Sequence, residues 1–241
     1  MAEVIDGILI REVETKNIMT KSSLPVGGYS VNPYVGCTHA CKYCYASFMK
    51  RFTGHTEEWG TFLDVKHWPE IKNPKKYAGQ RVVIGSVTDG YNPQEEQFGN
   101  TRKLLEQLIG SDADILICTK SDLVARDIDL LKKLGRVTVS WSINTLDENF
   151  KNDMDSASSI ECRIAAMKQV YDAGIRTVCF VSPVFPGIRT AASDEAHHAD
   201  LLQRPSEQFP HRRRMRQHQY GSQYQNQIQN RKYPCPEHLL L

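Results

Sequence analysis

The stretch SVNPYVGCTHACKYC occupies residues 30–44 and holds three of the seven cysteines of the chain within eight positions. Its first part, Ser30–Val35, predicts a β-strand in which valine and tyrosine recur. The strand leads directly to Cys37, Cys41 and Cys44, which have the spacing C-x3-C-x2-C. A strand followed by a short cysteine loop brings three thiols together at one strand end.

Outward from this stretch, short apolar runs alternate with helical patterns. Near-continuous apolar runs are typical of parallel strands that are buried on both faces. The further predicted strands are Arg81–Val87, Asp114–Thr119, Arg136–Ile143 and Arg176–Val184. Amphipathic helices are predicted at Thr101–Ile109, at Ala125–Leu134 and from Ile160 to about Gly174. The alternation predicts right-handed βαβ units and an α/β barrel or open sheet.

Composition and charge limit the class of protein. Apolar residues make up 40% and charged residues 24% of the 241 positions, which is ordinary for a globular chain. The net charge is +2, and no apolar run approaches the roughly 20 residues of a membrane span. Acidic residues stand near the N-terminus, where a signal peptide carries basic ones. We therefore expect a cytoplasmic protein with no membrane contact.

Three segments differ in character. Residues 1–29 are an N-terminal lead-in, residues 30–188 are the core domain, and residues 189–241 are an atypical, disordered tail. The tail contains eight glutamines, five of the eight histidines and no valine. We interpret it as the product of a shifted reading frame or of a recombined gene end. The alternative interpretation is a basic or RNA-binding arm.

The cysteine loop carries the chemistry. Three thiolates on a short loop can hold three irons of a [4Fe–4S] cluster and leave the fourth iron open to a small molecule. Zinc is the first alternative, with His39 as a fourth ligand, but His39 lies inside the tight loop and the chain has no second C-x2-C pair. Inert buried cysteines are the second alternative. Cys118 and Cys179 lie in strand patterns and are predicted to be core thiols.

The loop matches the signature of radical S-adenosylmethionine (SAM) enzymes, in which an aromatic residue, here Tyr43, precedes the last cysteine. Four further motifs agree in order and spacing with the spore-photoproduct-lyase-like branch of that family: Asn32–Gly36, Gly85–Asp89, Thr119–Ser121 and Ser140–Ser142. Within the branch, roughly residues 8–188 resemble the B member of the radical SAM mobile-pair proteins.

The resemblance implies a partial (βα)6 TIM-like barrel, a [4Fe–4S] cluster and SAM. In this branch the cluster reduces SAM, which is cleaved to methionine and a 5′-deoxyadenosyl radical that abstracts hydrogen from a substrate. Cys37, Cys41 and Cys44 are then the metal ligands. A paired radical SAM protein and a reductant such as flavodoxin or ferredoxin are the implied partners.

Five residues are the predicted SAM contacts: Tyr43, Thr88, Asp89, Lys120 and Ser142. The resemblance places the backbone of Tyr43 near the adenine. Thr88 and Asp89 follow a strand, where α/β sites collect polar groups, and can meet the amine or ribose of SAM. Lys120 can pair with the methionine carboxylate, and Ser142 can add a hydrogen bond. The structural alternatives are an ordinary Asp-Gly turn at Asp89 and a surface lysine at Lys120.

The chain also departs from its relatives. Spore photoproduct lyase has a hydrogen-donating cysteine just before the residue that matches Thr88, and Val87 stands there in this chain, so thymine-dimer repair is not expected. The matching sequence stops near Ile188. We therefore expect the barrel to lack its last strand and to expose a β edge, in an unstable or weakly active product.

The predicted function is that of a radical SAM enzyme with an unknown substrate. One alternative is a DNA repair lyase similar to spore photoproduct lyase, and the other is an inactive iron–sulfur or zinc-binding relic. Residues 189–241 hold eight of the 30 basic and five of the 28 acidic residues, which leaves 22 basic and 23 acidic residues in 1–188. Any basic patch for nucleic acid therefore has to be local.

Overall fold

The computed structural model describes residues 2–22 and 27–185, and the predicted tail with its missing last strand lies outside the described residues. The described residues contain ten strands: β1 (Ala2–Ile5), β2 (Ile8–Glu14), β3 (Thr20–Lys21), β4 (Tyr29–Val31), β5 (Tyr34–Val35), β6 (Phe62–His67), β7 (Arg81–Ile84), β8 (Asp114–Thr119), β9 (Arg136–Ser142) and β10 (Arg176–Phe180). The described residues also form the α-helices α1 (Glu95–Phe98), α2 (Asn100–Leu108), α3 (Ile128–Leu131), α4 (Glu148–Met154) and α5 (Ile160–Asp172). Three segments are 3₁₀ helices: Tyr45–Phe52, Pro74–Tyr77 and Leu123–Asp127.

A six-stranded sheet has the order β10-β9-β8-β7-β4-β3. Each neighbouring pair from β10 to β4 is parallel, and β3 joins the edge in the antiparallel direction. Helices connect β7, β8, β9 and β10 along the chain, as parallel strands require. The α/β class predicted from the alternation is therefore confirmed, and over the described residues the sheet stays open. None of the described helices combines the length and the apolar character needed to cross a bilayer.

The two faces of the sheet are distinct, as β8 shows. Ile115 and Ile117 are buried in the main core, together with residues of the covering helices such as Leu104 and Val170. Successive side chains of a strand point to opposite faces. Leu116 and Cys118 accordingly lie on the other face and are half-buried.

The predicted strand Ser30–Val35 is wrong as a single element. The structure divides it into β4, in the six-stranded sheet, and β5, in a second sheet. Pro33 lies between them and has no N–H to continue the first ladder. The other four predicted strands begin at the observed residues, and three of them, β7, β9 and β10, end earlier than predicted.

The lead-in residues form strands that the sequence analysis did not predict. The second sheet has the order β1-β2-β6-β5, and its small core contains Ile10, Tyr34, Leu63 and Val65. β5 pairs antiparallel with β6 there. The segment before the cysteine loop thus connects two sheets, and both of them position the loop.

The predicted helices are shifted or divided. Thr101–Ile109 is observed one residue earlier, as α2, and Gly110 follows with φ +75° as a helix-ending glycine does. Ala125–Leu134 consists of the 3₁₀ helix Leu123–Asp127 and the short α3. The third helix is α5, where Ser159 is the N-cap and accepts a hydrogen bond from the backbone N–H of Cys162.

A buried carboxylate connects β5 with the helices. Glu95 accepts hydrogen bonds from the Tyr34 hydroxyl and from the backbone N–H of Thr101, at 2.8 Å. Its Oε1 accepts another from Nη2 of Arg126, also at 2.8 Å. Glu95 and Tyr34 are fully buried. The strand that leads to the cysteine loop is thus attached to the helical layer by a charged network.

Replacement of Glu95 by alanine is expected to lower the free energy of unfolding by about 3 kcal/mol, because it leaves the buried hydroxyl of Tyr34 without its acceptor and removes one of the two carboxylates that Arg126 pairs with. Urea unfolding followed by circular dichroism measures the change. Lys168→Ala is the control: its exposed pair with Asp172 contributes at most about 0.5 kcal/mol. Equal midpoints for the two variants would contradict a stabilising network.

Candidate active site

The cysteine loop begins at a glycine that the backbone requires. Gly36 has φ +85°, and a Cβ at this position would lie 2.4 Å from the carbonyl oxygen of Phe62. The loop then turns twice, with hydrogen bonds from the N–H of Ala40 to the carbonyl of Cys37 (3.2 Å) and from the N–H of Cys44 to the carbonyl of Cys41 (3.1 Å). The 3₁₀ helix Tyr45–Phe52 follows directly. The cysteine loop is therefore short, tightly turned and anchored at both ends.

The three thiols are free, and two of them are strongly influenced by their surroundings. Burial, followed by the charge of Asp89, raises the pKa of Cys37 to about 12. Burial raises the pKa of Cys41 to about 11, although the ammonium group of Lys120 acts in the opposite direction. These thiols need a cation to become thiolates near neutral pH.

The donor set fits an iron–sulfur cluster. Three cysteine sulfurs on one short loop are the type of donor set that such clusters use. Over the described residues, no three Cys, His, Asp or Glu side chains converge at metal-binding distances. The three thiols are thus close in sequence but do not lie at ligand distances from one common point, and a bound cluster would bring them together.

Asp89 holds the loop from the side of the sheet. It lies after β7, and its carboxylate accepts hydrogen bonds from the backbone N–H of Lys120 (2.7 Å), from the hydroxyl of Thr119 (2.9 Å) and from the backbone N–H of Tyr91 (2.9 Å). Nε2 of His39, in the middle of the cysteine loop, lies 3.1 Å from Oδ2. Burial acts to raise the pKa of Asp89, but His39 and the two backbone donors outweigh it and lower that pKa. Asp89 therefore joins the loop to the ends of β7 and β8.

Asp155 holds the loop from the opposite side. Its Oδ2 accepts a hydrogen bond from the hydroxyl of Tyr43 (3.0 Å), and its Oδ1 accepts one from Nη2 of Arg163 (2.8 Å). The side chains of Asp155 and Arg163 are both 1% exposed. Burial and the charge of Asp155 raise the pKa of Tyr43, so this hydroxyl stays protonated and remains a donor.

Backbone hydrogen bonds repeat this attachment. The N–H of Lys42 donates to the carbonyl of Met154 at 2.9 Å, and the N–H of Ser156 donates to the carbonyl of His39 at 2.8 Å. These two hydrogen bonds attach the connection between α4 and α5 to the backbone of the cysteine loop.

The predicted SAM contacts fall into two groups. Tyr43, Asp89 and Lys120 lie together at the loop, with Nζ of Lys120 5.6 Å from the centre of the Tyr43 ring. Thr88 is buried near them, and its N–H donates to the side chain of Asn32 at 3.4 Å. Ser142 is half-buried at the last residue of β9. Direct contact of these residues with SAM stays a prediction, and both carboxylate oxygens of Asp89 already accept hydrogen bonds from protein donors.

Sequence analysis missed Asp155 and Asn144 and gave other roles to His39 and Cys118. His39 and Asp155 hold the loop. Nδ2 of Asn144 is buried beside Tyr43. Cys118 is not a core thiol as predicted: it lies on the sheet face of the site, where burial and the charge of Asp89 raise its pKa and Lys120 acts to lower it. Cys179 does pack against the main core. The alternation of β8 is the sequence signal that separates Cys118 from its core neighbours.

A family model described as the Radical SAM superfamily matches residues 31–191. The chain belongs to the radical SAM superfamily. The match contains the cysteine loop and the strands β5 to β10. Proteins of this superfamily combine an iron–sulfur cluster with SAM and are generally enzymes.

Similar chains come from distant organisms. The chain is 38% identical over 183 residues to the uncharacterised protein MJ0683 of Methanocaldococcus jannaschii, which covers 75% of this chain and 70% of that protein. A radical SAM Nalpha-GlyT isomerase of Pseudomonas phage M6 is 27% identical over 169 residues, which are 69% of this chain and 33% of the isomerase.

The fold is similar to that of spore photoproduct lyase. A structure of that enzyme with bound AdoMet and dinucleoside spore photoproduct superposes with a TM-score of 0.55 at 20% identity. The superposition covers 72% of this chain and 51% of the lyase chain, so this chain spans about half of its length. The similarity shows that this radical SAM chain shares part of its fold with spore photoproduct lyase.

Two substitutions test the attachment of the loop. Asp155→Ala is expected to lower the free energy of unfolding by about 3 kcal/mol, because Arg163 keeps a buried charge without its partner. Tyr43→Phe removes one hydrogen bond and is expected to cost about 1 kcal/mol. Urea unfolding of the metal-free protein gives both values. A larger loss for Tyr43→Phe than for Asp155→Ala would contradict the role assigned to Asp155.

The raised thiol pKa values predict the alkylation behaviour of the metal-free protein. Because the thiolate is the nucleophile, the rate at which iodoacetamide modifies Cys41 is expected to rise about tenfold per pH unit and to be still rising at pH 10. Peptide mass spectrometry separates Cys41 from the other cysteines. N-acetylcysteine amide is the control and reaches its plateau above its ordinary pKa of about 8.5. A plateau of Cys41 near pH 9 would show that burial does not control this thiol.

Proposed function

We propose that this chain is a radical SAM enzyme with one [4Fe–4S] cluster bound by Cys37, Cys41 and Cys44. The observation that carries the proposal is the cysteine loop itself, held by Asp89 and Asp155 at the carboxyl ends of parallel strands. Ligands of open α/β sheets bind at this edge. The fourth iron, without a protein ligand, is the place for the amine and carboxylate of SAM.

When bound, the cluster supplies one electron that breaks the C5′–S bond of SAM, which gives methionine and a 5′-deoxyadenosyl radical able to take a hydrogen atom from a substrate. The protein contributes position and exclusion of water. Lys120 lies at the loop with its ammonium group over Tyr43, within reach of a carboxylate bound there. Thr88, Ser142 and the backbone of Tyr43 are the proposed further contacts of SAM.

Asp89 receives a different role from the one that the resemblance implies. Its side chain is only 8% exposed, and both carboxylate oxygens accept hydrogen bonds from donors of the protein. We assign it as a positioning residue, which fixes the middle of the cysteine loop through His39. A direct contact of Asp89 with the amine or ribose of SAM is the alternative.

A DNA repair lyase similar to spore photoproduct lyase is the second candidate function. The shared fold favours it, as does the structure of that lyase with bound dinucleoside spore photoproduct. The thiol that the lyase carries before the residue matching Thr88 is replaced by Val87 in this chain. Cys118, on the neighbouring strand, nevertheless presents a thiol on the same side of the sheet.

The experiment is anaerobic reconstitution with iron and sulfide, reduction with dithionite, and detection of 5′-deoxyadenosine by mass spectrometry after addition of SAM. We expect deoxyadenosine from the wild type and none above background from Cys41→Ala. Cys179→Ala is the matched control, because Cys179 packs against the main core, and it is expected to retain the activity. A cluster that assembles and leaves SAM intact would favour the inactive relic, and binding of zinc in place of iron would contradict the proposal.

A further inference from the structure

The 3₁₀ helix after the last cysteine exposes aromatic rings to solvent. In Tyr45–Phe52, the side chains of Tyr45, Phe48 and Phe52 are 71%, 47% and 67% exposed. Such large apolar side chains, grouped on one short element, are uncommon on a soluble surface without a binding role. We call this surface the aromatic row.

The geometry of the helix aligns the row. A 3₁₀ helix has three residues per turn, so side chains three positions apart eclipse one another. Tyr45, Phe48 and Arg51 accordingly follow one line along the helix. The guanidinium carbon of Arg51 lies 5.4 Å from the ring centre of Phe48 and 4.7 Å from that of Phe52. The row is therefore a series of flat groups, in which a planar cation stacks between two rings.

The charge of the row is positive. The helix contains Lys50 and Arg51 and no acidic residue, and the exposed Lys42 precedes it. Glu57, further along the chain, is 2.9 Å from Nδ1 of His55 and 3.7 Å from Arg11, so a histidine and an arginine face its carboxylate. The near-neutral charge of residues 1–188 thus conceals a local basic surface.

The aromatic row begins directly after the cysteine loop. Tyr45 directly follows the proposed ligand Cys44, and its hydroxyl donates a hydrogen bond to the carbonyl of Ser86, just beyond the end of β7. From there the helix extends over about 16 Å, at roughly 2 Å per residue. A chain molecule lying along the row has one end at the cysteine loop.

We propose that the aromatic row binds single-stranded nucleic acid and guides it into the site. Unpaired bases stack on exposed aromatic rings and on guanidinium planes, while lysine and arginine side chains neutralise the phosphates. A duplex keeps its bases stacked inside and cannot use the rings. The inference rests on the proposed function, because it names the class of substrate on which that chemistry acts.

Binding is measured by the fluorescence anisotropy of a fluorescein-labelled 15-nucleotide single strand of mixed sequence, with the full chain and without SAM or reductant. Because the assay needs neither SAM nor a reductant, it tests oligonucleotide binding by the aromatic row independently of SAM cleavage. We expect the single strand to bind more tightly than the same sequence as a duplex. Phe48→Ala and Phe52→Ala are each expected to weaken the binding of the single strand about tenfold.

The contribution of charge to oligonucleotide binding is measured by the salt dependence of the affinity. Arg51→Ala is expected to weaken binding and to reduce the slope of log affinity against log salt concentration by about 0.7. Arg51→Lys is expected to keep the slope and to lose the stacking part of the affinity. Val4→Ala and Lys168→Ala change an exposed apolar and an exposed basic side chain elsewhere, and both are expected to bind as the wild type does.

Two results overturn the proposal. One is equal affinity of the wild type and of the Phe48→Ala, Phe52→Ala double variant for the single strand. The other is unchanged oligonucleotide binding together with slower reduction of the cluster by flavodoxin in that variant, which would identify the row as the docking surface of an acidic electron donor. The replaced side chains are largely exposed, so both variants are expected to fold, as circular dichroism can verify.

Discussion

Two buried carboxylates hold the cysteine loop, and the rest of the site depends on them. Eight residues with three thiols have little apolar surface of their own to bury, so tertiary contacts must fix their shape. Asp89 reaches the middle of the loop through His39, and Asp155 reaches its end through the hydroxyl of Tyr43. One anchor comes from the sheet and the other from the connection between α4 and α5. The loop therefore forms only when both layers are packed.

This arrangement has an electrostatic consequence. A carboxylate buried beside thiols disfavours thiolates, and the pKa of Cys37 rises in part through Asp89. Lys120 acts against this effect at Cys41. Iron bound by the three cysteines, as proposed above, would reverse this balance, because it would supply positive charge beside the thiolates. The bound metal would then also contribute to the stability of the loop.

The sequence predicts those parts of the molecule that depend on local pattern. Asp114–Thr119 was predicted residue for residue because an apolar run between turns has one interpretation in a parallel sheet. The spacing of the cysteines likewise identifies the site. Asp155 has no such signal: it lies 112 residues from Tyr43, and only the packing of the α4–α5 connection brings the two together. β2 has no such signal either, because it pairs with β6, where Leu9 lies opposite Phe62.

The net charge shows that sequence composition likewise fails to predict local properties of the protein surface. Counting 22 basic and 23 acidic residues in 1–188 removes the reason to expect a nucleic-acid surface. Binding, however, depends on the potential within about one Debye length, roughly 8 Å at physiological salt, and not on the sum over the chain. Across that distance the aromatic row contains Arg51 between two rings and no acidic side chain of its own helix. Acidic residues elsewhere, such as those buried in the ion network of Glu95, balance the count without weakening that field. A chain of near-neutral charge can therefore carry a local basic and aromatic surface beside its cysteine loop.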